Sequence, residues 1–401
     1  MAAARNAGDR PFVVIGHPGH RRVEMFQAAL AAQGLPLARV VAWEAVAAPG
    51  APARLLAGLG RAVLRIDSAG EDEHVERMLV ERGEAAARAG GYPAITAAAL
   101  ADVPVERGQI LWPRQHHLGL LAVLDEIAAA VAAQPAVCVV QPPAAIALLF
   151  DKRQTSARWH ALGIPVPDAL PGGDVRDPDD LRARMEALGW PSVYVKLSSG
   201  SSASCLAVFV HRASAEHVMT TVEDTGTARY HSRRIQRLND RARIDRTLGF
   251  ILGEGAQVER AIPKARLANR YIDCRVLTID GEPAFVVVRG ATHPITNLNL
   301  GGQRGDLDAL RAAVPATAWD AAMASCRTVQ QTSGAFHVGV DLMFEPGFAA
   351  HRVIEGNAFG DLLPNLTRDG LDVYGWQIRR LAATDPNPQH LALARGSGPA
   401  T

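Results

Sequence analysis

Near the carboxyl end of the chain, Asp341, Glu355 and Asn357 fall in two short apolar runs, VGVDLMF and RVIEGN, joined by EPGFAA. Apolar runs separated by such a turn predict neighbouring strands. Positions two apart share a strand face, so Glu355 and Asn357 point the same way. Pairing Phe344 with Arg352 would set Asp341 opposite Glu355 on that face. Two carboxylates and an amide oxygen on one rigid surface are hard donors that suit Mg²⁺, with phosphate oxygens completing its shell. The same carboxylates could also be charges on a solvent-facing strand.

A second candidate is Lys196, which ends the run SVYVKL and opens the turn SSGSSAS before a second strand, CLAVFVH. A strand lysine at the mouth of a Gly/Ser turn can set an ammonium and several backbone N–H groups around a triphosphate. The P-loop pattern GxxxxGK[ST] is absent, and a plain surface hairpin fits the same residues. Lys152, at the start of its own predicted helix, gains interest only beside Lys196. Between Arg229 and Arg246, seven arginines face two acids, Asp240 and Asp245, a local net charge of +5. Such a stretch could grip an anionic substrate or be a solvated arginine-rich helix. In GHPGHRR, Arg21 and Arg22 open a predicted helix and could touch an acceptor, while His17 and His20 read better as a strand–helix turn than as metal ligands. His116 and His117, ahead of a helix, carry the same plain reading.

Those residues must be held by folded elements, and composition allows them. The 401 residues carry 42 Lys+Arg against 41 Asp+Glu and are 48% hydrophobic. That balance argues against a protein that wraps nucleic acid or coats an anionic membrane, and against wholesale disorder. Cys138, Cys205, Cys274 and Cys326 lie far apart with no CxxC pair, which fits a reducing compartment. MAAARNAGDR lacks the apolar core of a signal peptide. The most apolar stretch, Val131 to Phe150, is interrupted by Gln134, Pro135, Gln141 and two further prolines. A cytoplasmic protein is expected.

Strands are predicted at 11–16, 38–43, 62–66 and 136–140, and helices over 21–33, 74–89 and 118–133. Alternation of this kind implies a mostly parallel sheet, with ligands gathering at the carboxyl ends of its strands. After residue 150 the pattern changes. A helix closed by Gly163, a second at 178–188, the hairpin around Lys196 and strands at YIDCRVLTI, PAFVVVRG, FHVGVDLMF and AHRVIEGN follow.

From Val137 to about Trp376 the sequence resembles the ATP-grasp superfamily, above all the branch with glutathione synthetase and the ribosomal protein S6 glutamate ligase. The ordered series QPPAAIALLFDK, LGIPVPD, YVKLSSGSS, QVERAIP, DCRVLTIDGE, VVVRG, TNLNLGG, VGVDLMF and VIEGN carries the resemblance. It implies an α/β (α+β) ATP-grasp fold: a loose terminus at 1–10, an N-terminal parallel-sheet domain at 11–148, and a two-part ATP-grasp module. That module would comprise a central part with a mobile lid at 149–262, including an arginine-rich insertion at about 223–250, and a catalytic part at 263–382. A flexible tail would follow at 383–401.

By the same resemblance, Lys152 and Lys196 would bind ATP phosphates, with Gly200, Ser201 and Ser202 closing over them. The backbone of Glu259, Arg260, Ala261 and Ile262 would hold adenine, and Asp273 would lie near the ribose. Asp341, Glu355 and Asn357 would hold one or two Mg²⁺ ions, or Mn²⁺ in their place. Arg275 and Arg289 would face the transferring phosphate, with Asn297 beside them. The implied activity is an ATP-dependent carboxylate–amine or carboxylate–thiol ligase acting through an acyl phosphate. Its partners would be a small-molecule or peptide carboxylate and an amine acceptor, without nucleic acid or membrane, and a homodimer is an option. A kinase of an anionic small molecule and a non-catalytic nucleotide-binding module are the alternatives. The sequence departs from the resembled pattern at Leu197, in place of a proline, at Ile295, in place of an arginine, and at Gly356, in place of a β-branched residue.

Overall fold

The computed structural model describes residues 10–200, 204–212 and 215–383, with the backbone alone at Arg233. Ser201 and Ser202 therefore lie outside the described residues, as do the first nine residues and the tail from 384.

Three sheets organise the chain. The first is parallel, with β1 (Phe12–Gly16), β2 (Arg39–Ala42), β3 (Val63–Ile66) and β4 (Cys138–Val139) in the order β2–β1–β3–β4. The second is antiparallel: β5 (Ser192–Leu197), β6 (Leu206–Arg212), β7 (Ala215–Asp224), β8 (Arg229–Leu238) and β9 (Ala256–Arg260), in the order β8–β7–β6–β5–β9. The third holds β10 (Arg266–Leu267), β11 (Arg270–Ile279), β12 (Glu282–Ala291), β13 (Gln303–Arg304), β14 (His337–Phe344) and β15 (His351–Asn357). Its order is β13–β12–β11–β14–β15, with β10 paired to β11 off that path.

Local chemistry explains most element ends. Asp151 caps the helix Lys152–Ala161 by accepting from the N–H groups of Arg153 and Gln154, which places Lys152 at its first position. Pro178, capped by Asp177, starts a helix that Gly189 ends in the left-handed conformation at φ 63°. The arginine-rich stretch forms the edge strand β8 and the start of the helix Arg241–Gly253. Much of its charge is paired locally: Arg241 lies 2.9 Å from Asp245 and 2.7 Å from Asp179, and the Arg229 guanidinium lies over the Phe250 ring.

Two sequence expectations shift. Trp43 begins a short helix instead of ending a strand, because its fully buried indole donates to the Asp67 carbonyl at 3.0 Å. The helix expected over 74–89 is two, Glu73–Arg82 and Glu84–Ala89, which meet at Gly83. Gly83 and Gly119 let the first of these lie backbone to backbone against the helix Pro113–Ala132. A Cβ on Gly83 would sit 1.8 Å from the Gln115 carbonyl oxygen, and one on Gly119 would sit 1.8 Å from that of Leu79. Backbone cannot rotate aside as a side chain can. Gly119→Ala should therefore cost about 1–3 kcal/mol by forcing the helices apart, read as a lowered urea midpoint. An unchanged midpoint would show that the crossing is loose.

One face of the third sheet packs into the largest apolar cluster. Cys274, Val276, Val288, Val338 and Val340 pack with Ala322, Cys326 and Val329 of the helix Ala316–Ser333 in one apolar cluster. The opposite face packs Leu277, Ile279, Phe285 and Val287 against Val373 and Trp376 at one end, and at the other it carries the charged residues that build the site. Among the described residues no helix is long and apolar enough to cross a membrane, and all four cysteines are free and buried.

Candidate active site

Cross-strand register lays a row of alternating charge over this second face of the third sheet. Asp273 on β11 stands opposite Arg289 on β12, Arg275 on β11 opposite Asp341 on β14, and Asp341 opposite Glu355 on β15. The last pairing arises differently from the sequence expectation. At the hairpin end Phe344 pairs with His351 instead of Arg352, a register that would set Asp341 opposite Ile354. A β-bulge after Leu342–Val353 inserts Ile354 as the extra residue and brings Glu355 to Asp341. The two carboxylates therefore face each other because of an irregularity that no alternating pattern encodes.

β14 is buried along its whole length, so Asp341 enters a region where an unpaired charge would be costly. It is paired twice: Arg275 Nε lies 2.6 Å from Asp341 Oδ1, and Arg289 Nη2 lies 3.1 Å from the same oxygen. Arg289 also donates to Asp273 at 2.7 Å. Burial by itself would raise the Asp341 pKa, yet the guanidinium groups of Arg275 and Arg289 hold it well below the ordinary carboxylate range. Asp273 follows the same pattern: burial raises and Arg289 and Lys264 lower, with a net lowering. Both therefore add stability that is fully present above the unfolded carboxylate value of about 3.9 and is lost as pH falls through their depressed folded values. Stability should drop steeply below about pH 4, and Asp341→Asn should flatten that drop when unfolding is followed against pH.

Facing this row across a cleft stands the second sheet. Lys196 on β5 lies 2.6 Å from the buried Glu259 carboxylate on β9. Lys152, from the adjoining helix, donates to the Gly200 carbonyl and lies 3.5 Å from Glu355. The cleft between them is open to solvent. Lys152, Lys196, Gly200, Glu259, Arg260, Ile262, Asp273, Arg289, Asn297, Asp341 and Glu355 all line it. Arg275 and Asn357 do not themselves line it but adjoin it, Arg275 on Asp341 and Asn357 through an amide N–H to the Gly339 carbonyl at 2.9 Å. Ala261 lies on the strand's continuation away from the lining. Among the arginines of 229–246 whose side chains are described, none lines this cleft.

Residues not singled out from the sequence complete the site. Lys264 donates to Asp273 at 3.1 Å and to Thr296 at 3.0 Å, and Thr296 in turn donates to Asp273. Asp361 receives Arg275 at 3.0 Å. Lys264 follows QVERAIP directly, which was its one sequence signal; its approach to Asp273 depends on the chain reversing through β10. Ile295 is buried with Leu206, Val208 and Leu300 in a small apolar cluster between the second sheet and the loop before β13. The cation nearby is Lys264. Gly356 admits the helices beneath it, since a Cβ there would lie 2.9 Å from Leu149 and 3.2 Å from Trp159.

The donor set fits a hard divalent cation. Asp341 and Glu355 offer facing carboxylates, and Asn357, its amide nitrogen tied to Gly339, offers the oxygen. Among the described residues no group of three or more His, Cys, Asp and Glu is placed to hold a metal. A cation on this row would therefore need oxygens from a phosphate as well.

No protein-family model matches the sequence, and no curated protein sequence does. Solved structures resemble it in three dimensions. D-cycloserine synthetase DcsG matches with a TM-score of 0.53 at 14% identity, covering 95% of this chain and 99% of that one. The ATP-grasp ligase PsnB, complexed with a minimal precursor, Mg and ADP, matches with a TM-score of 0.50 at 15% identity, over 94% of this chain and 97% of that one. The chain has the ATP-grasp fold.

Proposed function

We propose that the protein is a Mg²⁺- and ATP-dependent ligase that activates a carboxylate as its acyl phosphate and joins it to an amine. The observation that carries the reading is one cleft with two walls of different chemistry. Lys152, Lys196 and Gly200 stand on one side, and Arg289, Asp341 and Glu355 on the other. Phosphoryl transfer needs positioning and positive charge more than covalent help. Lys152 and Lys196 would leave Glu355 and Glu259 for the phosphate oxygens of ATP. The backbone of Glu259 to Ile262, with Pro167, Met343 and Ile354 close by, would hold the base. Asp341, Glu355 and Asn357 would hold Mg²⁺, which neutralises phosphate charge when bound. Arg289 and Arg275, already fixed by Asp273 and Asp341, would present their fork-like donors to the carboxylate and the transferring phosphoryl group. The neighbours DcsG and PsnB, a synthetase and a ligase, support the ligase outcome over a kinase.

Product analysis tests the reading. Amino acids, short peptides and acidic metabolites are screened in pairs for ATP consumption. A ligase yields ADP and inorganic phosphate only when a carboxylate and an amine are both present, and hydroxylamine traps the acyl phosphate as a hydroxamate. ADP with a phosphorylated product and no free phosphate would make the protein a kinase instead. Nucleotide binding without turnover on any pair would make it a binding module.

A further inference from the structure

The described side chains of the arginine-rich stretch stay off the cleft, but its backbone is engaged by another part of the chain. β8 is an edge of the second sheet, and an edge strand presents unpaired backbone groups that call for a partner. Residues 106–110, in the loop that runs into the helix Pro113–Ala132, supply one. Ile110 N–H donates to the Arg229 carbonyl at 2.8 Å and His231 N–H donates to the Gly108 carbonyl at 2.8 Å. Between those bonds Gln109 faces Tyr230 as an antiparallel bridge. The Tyr230 hydroxyl donates to the Glu106 carboxylate, and Ile110 packs on the apolar cluster of the second sheet. Gln109 N–H on the Glu106 carbonyl at 3.1 Å closes the turn, in which Gly108 takes the left-handed conformation at φ 79°.

A few residues further on, the same segment is fixed a second time. The helix Pro113–Ala132 follows Trp112, whose side chain makes no capping bond. The Arg114 N–H in its first turn is taken instead by the Glu254 carboxyl group at 3.0 Å. Glu254 is 3% exposed and follows the helix Arg241–Gly253, which packs on the second sheet through Ile244, Leu248, Ile251 and Leu252.

The seam is narrow where it meets β8. Glu106, Arg107 and Gly108 are exposed, and one bridge is far less than the pairing of β7 with β6 or β8. Short, exposed pairings open at a free energy well below that of global unfolding. Their position nevertheless matters. The five strands from β8 to β9 are one hydrogen-bonded sheet. A motion that carries Lys196 on β5 away from Asp341 and Glu355 must therefore part β8 from residues 108–110 or drag that loop along.

We propose that residues 106–110 and the contact of Arg114 with Glu254 form a latch that holds the second sheet closed over the cleft. The arginine-rich strand is its docking edge and not a grip on substrate. The purpose of opening, to admit and release nucleotide, rests on the ATP-dependent ligase reading, whereas the latch itself rests on the pairing.

The test locks and unlocks the seam in the full chain, with ADP as the probe. Gln109 and Tyr230 stand between the two flanking bonds, the closest kind of antiparallel pair, about 4.5 Å between Cα atoms and within reach of a disulfide. The protein's own cysteines are all buried. With Gln109→Cys and Tyr230→Cys combined, ADP association and release should be at least about tenfold slower after oxidation by glutathione disulfide than after dithiothreitol, the scale of one or two backbone bonds. The reduced form is its own control for folding. Ile110→Pro, which lacks the donor for the Arg229 carbonyl, should release ADP at least about tenfold faster than the unmodified protein. The His231 amide should exchange with solvent by local opening, faster than global unfolding allows, and faster still in Ile110→Pro. Equal ADP rates in the oxidised and reduced forms would overturn the latch, as would exchange at His231 only through global unfolding. Failure of the unmodified protein to bind ADP would strike the ligase reading instead, and exchange at His231 would then decide the latch by itself.

Discussion

Glu355→Ala should lower ATP turnover by at least about a hundredfold, the scale on which removal of one preorganised charge slows a reaction, while the fold survives. The two halves of this expectation have separate causes. Glu355 is only half-buried, and among the described residues it forms its ion pair with Lys152 at 3.5 Å, which retains the Gly200 carbonyl when the carboxylate is gone. Little stability is therefore at stake. For the chemistry the position is less replaceable. Asp341 is held by two arginines, so Glu355 is the carboxylate of the facing pair that can turn most freely to a cation. Turnover is read as ADP release on the substrate pair found by screening, and the fold by a urea melt. Undiminished turnover would remove the site from this face of the sheet. Loss of turnover together with a large loss of stability would mean that Glu355 holds structure.

Arg289→Leu should also cost stability, destabilising the protein by about 3–5 kcal/mol, as expected when one partner of a buried ion pair is removed. Arg289 bridges Asp273 and Asp341, both buried, and in its absence Asp273 keeps Lys264 and Asp341 keeps Arg275. Those remaining partners favour the lower end of the range. Adding Asp273→Asn to Arg289→Leu should recover part of the loss, because the uncompensated carboxylate disappears with its partner. Equal urea midpoints for Arg289→Leu and the unaltered protein would show that the row is hydrated and loosely held. Additive losses in the double variant would show that the pair does not interact.

Much of this arrangement was legible in the residue pattern. The hairpin around Lys196, the strands holding Asp341 and Glu355 and the helix start at Lys152 all fall where apolar runs and turn residues put them, since these are local properties of a few consecutive residues. The ATP-grasp resemblance was legible as well, although no single motif in it is strong, because order and spacing add up along the chain. Register was less secure. The expected pairing of Phe344 with Arg352 is not formed, and Asp341 meets Glu355 only through the bulge at Ile354. A bulge answers to packing on both faces of a sheet, which strand alternation does not record.

The sequence by itself determined which side chains could do chemistry and which strand or helix carries each. Tertiary structure alone decided their partners: that Lys264 and Thr296 brace Asp273, that Asp361 receives Arg275, and that the described side chains of the arginine-rich stretch stay off the cleft. It also decided that the loop ahead of the helix Pro113–Ala132 pairs with the edge of that stretch. The reason is physical. Periodicity and capping act between residues a few positions apart, whereas burial and electrostatic pairing depend on distances between residues far apart in the chain. Asp273 and Arg289 are sixteen positions apart and Asp341 and Arg275 sixty-six, and only the closed sheet brings each pair within a hydrogen bond.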